Sequence, residues 1–119
     1  MKAIIVEPDA RPRVADIQSD LENLQKIVHG LIQVVYPFDD PVVIICNEEG
    51  KLLGLEPNRA LRNQRGEIYD ILCGTFIVAG LTKDDFGDLS DELIDKYMKM
   101  YHNIEVFSRR GQRTISLDV

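Results

Sequence analysis

EPNRALRNQRGEIYDILCGTFIVAGL, residues 56–81, reads as two unlike halves: a polar cluster with Asn58, Arg59 and Arg62, then an apolar segment interrupted at Gly74. The apolar half decides the fold. Residues 67–73 and 75–79 are rich in β-branched and aromatic side chains, and the glycine between them punctuates two strands. In the first strand Ile68, Asp70 and Leu72 share one face, and Tyr69, Ile71 and Cys73 share the other. Asp70 therefore stands on an apolar face, where a carboxylate is costly to bury without a partner. In the polar half, residues 57–62 suggest a single helical turn with Arg59 and Arg62 on the same side, and either guanidinium is the expected partner of Asp70. Asn58, Arg59, Arg62 and Asp70 are thus the candidate ligand-binding residues, because forked guanidinium donors suit an anionic group. The plainer reading of the same residues is a salt bridge that fixes a loop onto a sheet.

Upstream, residues 2–7 and 13–18 flank the turn-forming PDARP and predict an N-terminal hairpin. Ser19 and Glu22 have the spacing of a capping box, and Leu21, Leu24, Val28 and Leu31 recur at helical intervals, so a helix is expected over 20–29. Gly30 is the expected left-handed residue that ends it. His29 reads as a solvated residue of the last turn. Residues 31–36 and 41–46 are two further strands, and the second is apolar without alternation, as in a strand buried on both faces. Residues 47–50 predict a turn that folds the chain back into a strand over 51–55. The acidic pairs Asp39-Asp40 and Glu48-Glu49 read as solvated loop residues, since an oxygen cage for a metal needs further ligands at set intervals.

Downstream, residues 82–87 predict a short turn. Ser90 is the expected cap of a second helix, with acids in its first turn and Leu89 packing on Ile94 as a hydrophobic staple. Tyr97, Met98, Met100 and Tyr101 fall at helical spacing and read as core rather than as a partner-binding patch. Residues 104–119 alternate on either side of Gly111 and predict a terminal hairpin. Its turn carries Arg109, Arg110 and Arg113, the basic spot of the chain. The order of elements defines an α+β domain over residues 1–103, with a mostly antiparallel, mixed sheet and two helices, and it admits a β-grasp-like N-terminal half. The hairpin 104–119 is an extension expected to pack on this domain or on a second subunit, which makes it a route to a homodimer.

The chain has 119 residues, of which 45% are hydrophobic and 29% charged, enough for one ordinary globular core. Its apolar runs, such as 42–46, are far shorter than the roughly 18 residues of a membrane-spanning helix, and residues 1–8 do not read as a secretory signal. A net charge of -6 opposes direct binding to nucleic acid. Cys46 and Cys73 have no metal or redox spacing and read as reduced thiols of a cytoplasmic protein. No cofactor motif and no catalytic nucleophile–base pair is present in the sequence.

Taken together, KAIIVEP, DLENLQKIVHG, YPFDDP, ICNEEGKLLGL, NRALR, GEIYDILCGTFIVAG and SDELIDKY resemble an uncharacterised family of small bacterial and phage proteins, domain of unknown function 3846. The resemblance spans about residues 1–97. It implies a setting in phages and conjugative elements, and no catalytic residues. The expectation is a non-enzymatic accessory protein acting through protein contacts. Two other readings stand beside it. One is a small-ligand or nucleotide-binding protein using Asn58, Arg59, Arg62 and Asp70; the other is an acidic anti-restriction mimic of DNA.

Overall fold

The computed structural model describes residues 1–107 and 114–117. Its strands are β1 (Lys2–Val6), β2 (Arg13–Asp16), β3 (Ile32–Val35), β4 (Val42–Asn47), β5 (Pro57–Arg62), β6 (Ile68–Cys73), β7 (Phe76–Leu81), β8 (Phe86–Gly87), β9 (Ile104–Phe107) and β10 (Thr114–Leu117). Two helices, α1 (Leu21–Val28) and α2 (Asp91–Met100), complete an α+β fold. The main sheet has the order β2-β1-β7-β4-β3, with β8 added to β7, and β5-β6 and β9-β10 form separate two-stranded sheets. Every described pairing is antiparallel. These pairings do not establish the β-grasp arrangement expected of the first half.

The central strands lack alternation because both faces of the sheet are covered. Ile4, Val6, Ile44, Phe76 and Val78 pack with Leu61 and Leu72 of the β5-β6 hairpin and with Leu89, Tyr97 and Tyr101 on and around α2. Ala3, Ile5, Val43, Ile45 and Ile77 face the other way, against Leu24 and Val28 of α1. Each such Ile, Leu or Phe contributes about 1.5–3 kcal/mol by leaving water. The second helix begins as expected: the Ser90 hydroxyl accepts from the Leu93 amide at 3.3 Å, and Leu89 and Ile94 join the same core.

Several local expectations are corrected. The cap of α1 is Asp20, whose carboxylate accepts from the Asn23 amide at 3.1 Å, so the Ser19–Glu22 capping box does not form. His29, with φ 64°, takes the left-handed position at the helix end. Gly30 is required for a different reason. A Cβ there would lie 2.8 Å from Nδ2 of Asn47, which donates to the Val28 carbonyl at 3.0 Å. Residues 51–55 form no strand. Both edges of β4 are already taken, by β3 and β7, and the chain instead closes a tight turn in which Leu53 donates to Glu49 and Leu55 to Gly50. Residues 57–62 are a strand, β5, and not a helical turn, because long-range pairing with β6 overrides the weak local preference. Its proline is the first residue of the strand, the position where a missing N–H costs no ladder bond. The basic residues Arg109, Arg110 and Arg113 lie outside the described residues.

Candidate functional site

Strand β5 carries both arginines of the polar cluster, and the structure sends them to different environments. Arg59 is 1% exposed. Its Nε and Nη2 donate to the Tyr101 carbonyl at 3.3 and 3.0 Å, and Nη2 also donates to the Ala10 carbonyl at 2.8 Å. Nη1 donates to Oδ1 and to the carbonyl of Asn58 at 2.8 and 3.3 Å. All five N–H donors of a guanidinium are thereby used. Burial, opposed by the fields of Glu105, Tyr101 and Asp9, lowers the Arg59 pKa below its ordinary value, and the group remains a cation. Asn58 completes the arrangement, with Nδ2 donating to the carbonyls of Val6 and Gly74 at 2.9 Å each. Gly74, at φ 85°, makes the sharp link between β6 and β7 that presents this carbonyl. Asn58 and Arg59 therefore staple the β5-β6 hairpin to the main sheet, to the 7–12 turn and to the end of α2, out of reach of a ligand.

Arg62 emerges beyond a register shift between Leu61 and Arg62 and reaches the wall of a cleft. It pairs in bidentate fashion with Glu105 of β9, Nη1–Oε1 at 2.9 Å and Nη2–Oε2 at 3.1 Å. Hydrogen bonding to Glu105 raises the Arg62 pKa above its ordinary value, against a smaller opposing effect of burial. The cleft has a volume of about 590 Å³ and lies between the 37–40 loop, the β5-β6 hairpin and α2. Phe38, Tyr69, Tyr97 and Met100 supply its apolar walls. Phe38 and Tyr97 stack at a tilt of 49°, with centroids 4.7 Å apart. Asp40 ties the loop to α2, accepting from the Tyr97 hydroxyl at 2.7 Å and from Lys96 Nζ at 2.6 Å. The hydrogen bonds from Lys96 and then from Tyr97 hold its carboxyl below the usual carboxylate range. Burial, reinforced by the Asp40 charge, pushes the Tyr97 hydroxyl well above its ordinary pKa, and burial does the same to Tyr101.

Asp70, the fourth residue of the cluster, is not paired with either arginine. It takes an ion pair from Lys51 and a hydrogen bond from the Ile71 amide at 2.8 Å, and its side chain is 43% exposed. The strand face it occupies is not sealed, so a lysine from a solvent-facing turn suffices. Of the four residues singled out in the sequence, only Arg62 lines the cleft. Phe38, Asp40, Tyr69 and Lys96 were missed as site residues. The aromatic and methionine spacing at 97–101 was the one signal for this wall; its core reading holds for Tyr97 and Tyr101, which are buried, and in part for Met98, but not for Met100, which is exposed. Near Asp70, burial pushes the Cys46 thiol up to about 11 and raises that of Cys73, so both thiols stay protonated at neutral pH. Among the described residues no group of three His, Cys, Asp or Glu side chains gathers to hold a metal ion. Nor is any described helix long and apolar enough to cross a membrane.

Fold and site together define a two-face-buried antiparallel α+β domain with an aromatic cleft walled by internally paired charges. The chain belongs to the family described as Domain of unknown function (DUF3846), whose model matches residues 1–102. Comparison with curated proteins and with solved structures found no match.

Proposed function

We propose that the protein is a non-enzymatic accessory protein that binds another protein through this cleft, in the phage or conjugative-element setting that the family resemblance implied. One observation carries the reading: the cleft presents Tyr69 at 57% and Met100 at 48% exposure beside Arg62. Tyrosine, methionine and arginine are the side chains that protein interfaces concentrate. The charged groups of the walls are held by one another, Arg62 by Glu105 and Lys96 by Asp40, which suits a rim that excludes water around an apolar anchor. The titration shifts point the same way. They keep Asp40 ionised and the tyrosines protonated, away from the midrange values that acid–base catalysis favours.

The test is a quantitative pull-down from the producing organism with tagged wild type and with Tyr69→Ala/Met100→Ala, both exposed positions whose loss leaves the core intact. Loss of an enriched partner in the double variant, with an unchanged circular dichroism spectrum, supports the cleft as the contact surface. Full retention of the partner removes it.

A second reading, small-ligand binding, is favoured by the cleft volume, which lies within the about 300–1,000 Å³ typical of ligand pockets. It predicts that a nucleotide or metabolite panel raises the melting temperature of the wild type and not of Arg62→Ala. No stabilisation by any compound argues for the protein partner.

A further inference from the structure

We infer that the segment this cleft receives is basic, a short stretch of a partner protein in which a lysine or arginine lies beside an apolar anchor. The inference rests on the cleft being a protein-binding surface and adds its charge preference.

Three observations carry it. First, the charges of the walls do not cancel. Arg62 is matched by Glu105 and Lys96 by Asp40, while Asp39 at the lip is exposed and makes no ion pair among the described residues. Its unmatched carboxylate stands next to Asp40, in a chain whose net charge of -6 draws cations toward every concavity. Second, a cation is already accommodated there. Lys96 Nζ lies 5.6 Å from the centroid of the Tyr97 ring, within cation–π range, yet the Lys96 side chain is 56% exposed. Tyr97 is fully buried, so within this wall it is half-buried Phe38 that offers a partly open π face beside two carboxylates. An incoming guanidinium or ammonium meets Asp39 and that wall together. Third, the anchor positions are set next to it, with Tyr69 and Met100 exposed on the same cleft. An acidic segment would face Asp39 and Asp40, and the nearby cations are already engaged by carboxylates.

The full chain, labelled for NMR, is titrated with three synthetic peptides of equal length: an arginine–leucine repeat, a glutamate–leucine repeat and a serine–leucine repeat. The expected result is saturable shifts at Phe38, Asp39, Tyr69 and Lys96 with the basic peptide, at an affinity about tenfold or more above the acidic one, weakening as salt is raised. Asp39→Asn, a change at an exposed lip residue, should lower the affinity for the basic peptide by roughly threefold to tenfold. Asp39→Lys should narrow or reverse the preference. Equal binding of all three peptides, abolished by Tyr69→Ala, would overturn the charge preference while keeping the cleft as a protein-binding surface. Absence of shifts at the cleft with the basic peptide would also overturn the inference. Shifts from the basic peptide that survive Tyr69→Ala and Asp39→Lys unchanged would overturn both it and the cleft reading.

Discussion

Arg59 and Arg62 stand three residues apart on one strand, and they belong to different parts of the molecule. Around Arg59 the protein is closed: a buried cation spends every donor on two neighbouring elements and on Asn58. Around Arg62 it is open: the guanidinium meets a carboxylate at the edge of the cleft and leaves about a third of its side chain exposed. The chemistry of the two side chains is the same. The difference shows that burial, through the cost of leaving carbonyls and charges unpaired, assigns one arginine to holding the fold and the other to shaping a surface.

Removing the interior arginine should have the largest effect. Arg59→Met leaves the carbonyls of Ala10 and Tyr101 without their donor and should cost about 3–5 kcal/mol in urea unfolding. Arg59→Lys should recover little of this, because an ammonium cannot reproduce the fork. A cost equal to that of Arg62→Met would break the contrast between the two positions. Asn58→Ala, which strands the Val6 and Gly74 carbonyls, should cost about 2–3 kcal/mol by the same measurement.

At the cleft the effects are smaller. Arg62→Ala leaves Glu105, itself 8% exposed, without its bidentate partner and should cost about 1–2 kcal/mol. A double-mutant cycle with Glu105→Gln should return a coupling of about 1 kcal/mol or more, and a coupling of zero would place the pair among surface ion pairs that contribute nothing.

The smallest effect is a pH response of the 37–40 loop. Asp40, which faces Lys96, Tyr97 and Asp39, has a folded pKa below its ordinary 3.8. Its ties to α2 therefore contribute stability that is present above that value and is lost as pH falls through the lower, folded value. The chain has no tryptophan, so tyrosine emission should report release of Tyr97 in acid. In Asp40→Asn this transition should vanish, with the interior network unaffected.

The comparison also separates what was readable along the chain from what was not. Burial of β4 and β7 on both faces follows from runs of consecutive apolar residues, and the cap and staple of α2 follow from local spacing at Ser90, Leu89 and Ile94. Those features depend on neighbours in sequence. The errors fall where distant partners decide. Residues 57–62 look helical when read locally, but they become a strand once β6 offers pairing and Tyr101, Ala10 and Val6 offer carbonyls to Arg59 and Asn58. Lys51 reaches Asp70 from a turn that sequence reading made a strand. The cleft joins residues near 38, 69 and 97, and no spacing rule links them.

By itself, then, the sequence determined the α+β class, the central strands, the two helices and the presence of an arginine-bearing polar cluster, because periodicity and capping act over a few residues. Only the tertiary structure decided which arginine is interior, which carboxylate each cation meets and where the open cleft lies. Those outcomes are settled by desolvation and hydrogen-bond satisfaction between segments far apart in the chain, a balance that no single segment contains.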